Sequence, residues 1–430
     1  MARILVVKHL FPYPPIQGTR RVSLALLADL ATRHEVVFLC QRERRDEQAL
    51  IPHIERLGVR VVAPLMPNHR SPVARALYKA WNLPLSKWRD IPAVCLYWSN
   101  RALRSHLERL QREFAPELTI LESWETFLLR SSVHRGRSAL LAHDVGYQIV
   151  ERALHAASDP GARARLHKRL ERERQLEREA WTRFDAVFAL TEADRDTIAR
   201  DLERLAGARG VSARPALVRH LPVPVAEEFF RYGRPDAPAM RIGFLGTFRA
   251  DFNRDALAHL LDDIWPVVRA RLPRATLTIA GNGAGRQSTA ALREAASSRD
   301  ARWLGSVEDL ASFFEAIDLL VVPLRFGGGV RIRILEAFAA GVPVIATPVA
   351  AAGLPVEPGQ HLLIAEGAEL LAGQIVRALE HPGETAKLGS EAREWCRRHH
   401  SAESLRPGRL AVIDEALSLP SSDGPPGNRA

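Results

Sequence analysis

The stretch PLRFGGGVRIRILEAFAAGVPV, residues 323–344, runs from an apolar strand through three glycines and two arginines to a glutamate, then into a second apolar strand. Gly327, Gly328 and Gly329, flanked by Phe326 and Val330, let the backbone approach a ligand without Cβ obstruction. Arg331 and Arg333 fall in the first turn of the helix that follows, where free amides already favour an anion. Two residues apart, they diverge by about 200° on a regular helix, so one can grip a phosphate while the other packs or reaches around it. Glu336, about one and a half turns in, can accept hydrogen bonds from sugar hydroxyls. Cations for a pyrophosphate and a carboxylate for a ribose suit a nucleoside diphosphate. A plain helix start with surface arginines is the competing reading.

Outward from this stretch, short apolar runs alternate with helical patterns. RILVVK, EVVFLC, VRVVAPL, LTILES, SALLAHD and DAVFALT are spaced as parallel strands in the first half, with RRVSLALLADLATR an amphipathic helix. Residues 162–180 form a charged helix with a thin stripe of Leu166, Leu170 and Leu176, a solvated helix by its mixed charges. The proline-rich run 220–240 breaks the alternation, which restarts with RIGFLGTF, ATLTIAGNG, ARWLGS, LLVVPL, PVIATP and HLLIA. The expected organisation is two doubly wound α/β domains, 1–219 and 241–400, joined by a linker at 220–240. A helix at 401–417 packs back on the first domain and a disordered tail covers 418–430. Such sheets place their ligand between them, at the carboxyl ends of the strands.

The 430 residues exceed one ordinary core. No stretch approaches about 20 uninterrupted apolar residues, and the start MARILVVKHLFPYPP reads as a buried strand rather than a signal peptide. Cys40, Cys95 and Cys396 form no metal or redox spacing, which suggests a reducing cytoplasm. Residues 1–220 carry 37 Lys+Arg against 25 Asp+Glu, and the remainder 23 against 25, so the basic excess lies in the first half. Nucleic acid, an anionic membrane face and phosphorylated small molecules are its candidate partners, as against compositional bias alone. Without zinc-finger spacing, an aromatic RNA-binding signature or basic heptads, nucleic acid is the weakest of these.

Four further loops follow strands. In HLFPYPPIQGTRR, Gly18 and Thr19 open a helix whose amides suit a phosphate. In LLAHDVGY, His143 can orient or polarise an acceptor hydroxyl, or be a satisfied buried histidine; Asp144 can cap the next helix. FLGTFRADFN offers Gly246, Thr247, Arg249 and Arg254, and IAGNGAGR is a glycine turn in which Gly281 can graze a ligand. Thr191 and Asp194 form a capping-box-like helix start.

GGGVRIRILEAFAAGVPVIAT resembles the donor-site signature of the GT-B glycosyltransferases of retaining family 4. RWLGSVEDLASFFEAIDLLVVPL is similar to that family's preceding strand–helix–strand, FPYPPIQGTRRVSLALLADLA to its glycine loop, and AHD to its acceptor-side histidine region. The commoner pattern is two glutamates spaced E-x7-E. Here Gly328 holds the first position and Glu336 the second, as in a glycine-run subgroup with basic residues. The resemblance implies a nucleotide-sugar donor of UDP or GDP type on the second domain and an acceptor on the first. Configuration is retained, with no metal and no cofactor. It implies catalytic roles for His143, Asp144 and Arg331, and donor binding by Gly18, Thr19, Gly246, Thr247, Arg249, Gly281, Phe326, Gly327, Gly328, Gly329, Val330, Arg331, Arg333 and Glu336. The acceptor is a glycan, a lipid-linked glycan or a small metabolite. Docking on the inner membrane face is implied too, and residues 76–90, with Trp81, Trp88, Lys79, Lys87 and Arg89, have the composition of an interfacial segment or, equally, of an acceptor loop with buried tryptophans. A non-catalytic binding protein on the same scaffold is the first alternative. A nicotinamide-dependent oxidoreductase needs a glycine fingerprint after a first strand, which VVKHLFPYPP and FLGTFRAD both lack.

Overall fold

In the first half, β1 (Arg3–Val7), β2 (Glu35–Leu39), β3 (Arg60–Val62), β4 (Leu118–Glu122), β5 (Arg137–Ala142), β6 (Ala186–Ala189) and β7 (Leu217–His220) pair in parallel, in the order β3-β2-β1-β4-β5-β6-β7. The second half builds a parallel sheet from β8 (Arg241–Leu245), β9 (Thr276–Ala280), β10 (Arg302–Gly305), β11 (Leu319–Val322), β12 (Val344–Ala346) and β13 (Leu363–Ile364), ordered β10-β9-β8-β11-β12-β13. This computed structural model describes residues 1–15, 17–66, 84–86, 88, 91–157, 159–209, 216–232, 239–281, 283, 286–307, 310–328 and 330–420. The strand β7, LVRH, lay beyond the sequence reading because it is short, half-buried and runs into the prolines of the linker.

Strand alternation makes each sheet face a core. On β1, Ile4 and Val6 point to one layer while Leu5 and Val7 point to the other, and all four are fully buried. The helices that matter to the site are α1 (Gly18–Ala31), α2 (Gly146–Ala156), α3 (Pro160–Trp181), α4 (Asp251–His259), α5 (Ile332–Ala339), α6 (Pro382–His400) and α7 (Ala402–Leu417). Helix α3 is charged outside but ends on the fully buried Trp181, and Leu166, Leu170 and Leu176 pack into the first-domain core.

The chain changes domains twice, at one place. Leu221 and Val223 belong to the first core, whereas Val225, Phe229 and Phe230 are buried in the second. On the return, the Val225 amide donates to the His400 carbonyl at 2.7 Å, and Val225 bridges Ser401. The first crossing therefore falls between Val223 and Val225 and is followed by two buried phenylalanines, and α7 then lies on the first domain.

That return is pinned electrostatically. Asp29 of α1 accepts from Arg409 at 2.6 Å and from Arg406 at 3.0 Å, with the Asp29 and Arg409 side chains both buried. Ile413 and Ala416 add apolar contacts to the same core. A buried ion pair tolerates loss of one partner poorly, because the other charge stays desolvated. Asp29→Ala is expected to lower unfolding stability by about 3–5 kcal/mol, measured by urea titration. A change below about 1 kcal/mol would show that α7 is held by apolar contacts alone.

Candidate active site

A cleft of about 1260 Å³ opens between the two sheets, lined by the segments that follow β5, β8, β9, β10 and β11 and by the start of α1. Two close approaches set its width. A Cβ on Gly18 would stand 3.1 Å from Ile332 Cδ1, and a Cβ on Gly328 would stand 2.7 Å from Ile149 Cγ1. Ile332, at the start of α5, packs into the first-domain core, so this second-domain helix is seated on the other domain.

On the second-domain side, Arg331 is the N-cap of α5 and is 5% exposed. It donates to the Gly328 carbonyl and lies 5.3 Å over the Phe252 ring. Burial, and then the neighbouring Arg152, bring its pKa down to about 10. Arg333 donates to the Leu245 carbonyl and, at 2.8 Å, to Asn253 Oδ1, while Asn253 donates to the Thr247 carbonyl at 2.9 Å. Arg333 thus braces α5 against α4 and the exit of β8, and burial followed by the nearby Arg331 and Arg21 lowers it to about 9. Glu336 is 1% exposed. Its Oε1 accepts from Arg21 of the first domain, whereas Oε2 is buried with no partner among the described residues. Arg21 is held by the Pro15 carbonyl at 2.7 Å, and burial lowers its pKa to about 10.

On the first-domain side, charged residues end three adjacent apolar strands. Lys8 follows β1, Glu122 ends β4 and His143 follows β5. Glu122 Oε2 accepts from Lys8 Nζ at 2.8 Å, from Ser23 Oγ at 2.6 Å and from His143 Nε2 at 3.1 Å. Burial alone would raise the Glu122 carboxyl, but Lys8 and the hydrogen bond from His143 outweigh it and bring it to about 2. Burial lowers the His143 pKa against that same hydrogen bond. The half-buried Asp144 next to it is raised to about 6, first by burial and then by Asp194, with Arg331 opposing. Asp144 does not cap the next helix. The amides of Gly146 and Tyr147 at the start of α2 donate to Glu177 of α3, each at 3.0 Å. By contrast Thr191 Oγ1 accepts from the Asp194 amide at 3.0 Å, an ordinary helix start.

The cleft brings together His143, Asp144, Gly18, Thr19, Gly246, Thr247, Arg249, Gly281, Gly328, Val330, Arg331, Arg333 and Glu336. Phe326 and Gly327 are not in its lining, and Gly329 lies outside the described residues. Gly327, at φ +137°, accepts from Arg152 of α2 through its carbonyl. Gly281 is required by its neighbour, since a Cβ there would fall 1.8 Å from the Gly246 carbonyl oxygen. Arg254 is spent on the Phe248 and Arg249 carbonyls and Asp251. The sequence reading missed Lys8, Arg21, Glu122 and Arg152; a lone charge terminating an apolar run was the available signal for Lys8 and Glu122. Of the 76–90 segment, Trp88 is described and is 79% exposed, whereas Trp81, Lys79, Lys87 and Arg89 lie outside the described residues. Among the described residues, no cluster of three or more His, Cys, Asp or Glu is placed to hold a metal ion, and no helix is long and apolar enough to cross a membrane.

Residues 239–381, which include α5 and the glycine run, match the family described as "Glycosyl transferases group 1". An uncharacterized 44.6 kDa protein in the cps region of Klebsiella pneumoniae is 27% identical over 165 residues, a stretch that spans 37% of this chain and 42% of that protein. Among solved structures, HepE from Anabaena, in complex with UDP and glucose, superposes with a TM-score of 0.65 at 13% identity over 96% of this chain and 100% of that one. Sucrose-phosphate synthase from Thermosynechococcus elongatus gives a TM-score of 0.66 at 18% identity over 97% and 100%. TarM from S. aureus, crystallised as a variant with fondaparinux, alpha-GlcNAc-glycerol and UDP, gives 0.66 at 11% over 97% and 100%. The chain has the GT-B fold of these structures, and its second domain carries the segment that matches the group 1 glycosyltransferases.

Proposed function

We propose that this protein is a glycosyltransferase that moves a sugar from a nucleoside diphosphate to an acceptor hydroxyl with retention of configuration. The observation that carries the reading is an imbalance of charge: Arg21, Arg331 and Arg333 converge on the cleft, and Glu336 is the one carboxylate bonded to any of them among the described residues. A diphosphate supplies the missing negative charge, and the open Oε2 of Glu336 accepts from a ribose hydroxyl. The match of residues 239–381 and the UDP bound in the HepE and TarM structures support the same reading.

In this mechanism the second domain holds the donor and the first presents the acceptor beside His143. Negative charge develops on the leaving diphosphate, where Arg331, Arg21 and the free amides at the start of α1 lie ready without reorganisation. The leaving phosphate oxygen takes the acceptor proton on the face it departs from, which retains configuration. No metal is needed where guanidinium groups carry that charge. Gly328 stands where many relatives keep a glutamate, and Ile149 fills the space its side chain would need. The sugar is therefore held by other groups, Asp144 and His143 foremost. The acceptor is a glycan, a lipid-linked glycan or a small metabolite. The enzyme works in the cytoplasm, with the basic first half docking on an anionic membrane face.

Calorimetric titration should show UDP or GDP binding that Arg331→Ala weakens about tenfold or more, some 1.4 kcal/mol; undiminished binding would remove the donor-site assignment. Asp144 competes with the diphosphate for Arg331 once ionised, above its pKa of about 6. Asp144→Asn should therefore bind UDP about three- to tenfold more tightly than wild type at pH 7.5, with the difference closing by pH 5. A ratio independent of pH would exclude Asp144 from the diphosphate's field. Vesicle sedimentation should rise with anionic lipid and fall in 0.5 M salt on the order of a Debye length of a few ångströms; indifference to both would leave the basic half without a membrane partner.

A further inference from the structure

We propose that Glu122 is a positioning residue that fixes His143 as the Nε2–H tautomer, leaving Nδ1 as the hydrogen-bond acceptor for a hydroxyl of the bound sugar. The proposal rests on the transferase reading for the identity of the hydroxyl, but the tautomer itself follows from the hydrogen bonds.

Glu122 Oε2 receives three donors from three elements: Lys8 after β1, Ser23 on α1 and His143 after β5. Lys8 Nζ also reaches the Thr19 carbonyl at 3.3 Å, so the network ties His143 to the first turn of α1. An ionised carboxylate has no hydrogen to give, so the shared contact at 3.1 Å requires Nε2 to carry the proton. Burial and the Lys8 ammonium disfavour an imidazolium, which leaves Nδ1 as a bare lone pair. Nδ1 is buried and has no partner among the described residues, while His143 lines the cleft. An unsatisfied buried acceptor costs about 1–3 kcal/mol, which a ligand hydroxyl relieves. The opposite tautomer would present N–H and repel the hydroxyl's hydrogen.

The test compares two double variants that both lack the buried ion pair, so the structural loss is shared. Lys8→Met/Glu122→Gln keeps an oxygen that accepts from His143 and Ser23; Lys8→Met/Glu122→Leu does not. Selective ¹⁵N-histidine NMR, assigned with His143→Gln, reads the ring nitrogens directly. Wild type and the Gln variant are expected to show an unprotonated, pyridine-type Nδ1, and the Leu variant a mixture of tautomers. A protonated Nδ1 in wild type, or the same spectrum in all three, overturns the proposal. UDP release from UDP-glucose, with water as acceptor, should be at least tenfold slower in kcat for the Leu than for the Gln variant, with KM for UDP-glucose within threefold. Equal kcat values would reduce Glu122 to a structural role. Absence of UDP binding and turnover in wild type would count against the transferase reading and leave the tautomer to the NMR result.

Discussion

The ion pair between Arg21 and Glu336 joins the first helix of one domain to α5 of the other, and the cleft is organised around it. It is an incomplete neutralisation. Burial and then Arg152 depress the pKa of Arg331, burial and then Arg331 that of Arg333, and both retain their protons near neutrality because even the lowered values lie at about 10 and 9. Carbonyl groups of Gly328 and Leu245 and the amide of Asn253 satisfy part of their hydrogen-bonding capacity without supplying charge. A desolvated cationic site of this kind costs stability in the free protein and returns it when an anion binds, so affinity for a diphosphate and strain in its absence have the same origin.

Glycine is what lets the two halves come close enough for that pair to form. Gly18 gives room to Ile332, and Gly328 to Ile149, so a side chain at either position would require the facing isoleucine to shift. Ile149 occupies the space beside Gly328 that a side chain there would enter. The two chain crossings, at Val223–Val225 and His400–Ser401, lie side by side and are bonded to each other. The Asp29–Arg409 pair holds α7 on the first domain.

Much of this was legible in the residues. Apolar runs of strand length separated by helical patterns specify parallel sheets, because buried parallel strands must be apolar on both faces. The cluster from Gly327 to Glu336 was equally plain as a run of glycine, arginine and glutamate after an apolar strand. The strand β7 was not legible, being short and half-buried, and neither was the division of labour between Arg331 and Arg333. Two arginines two residues apart look alike in sequence; one became a brace because Leu245 and Asn253 stand beside it.

The sequence by itself determined the two parallel α/β sheets, because strand-length apolar runs separated by helical patterns follow from local periodicity and side-chain chemistry. Tertiary structure alone decided which charges meet. Lys8, Glu122 and His143 are separated by 114 and 21 residues and become neighbours because β1, β4 and β5 lie side by side in the sheet. Arg21 and Glu336, 315 residues apart, meet only where two domains close on each other. Periodicity carries no information about such pairs, since burial and partner, not residue type, set the charge each group bears.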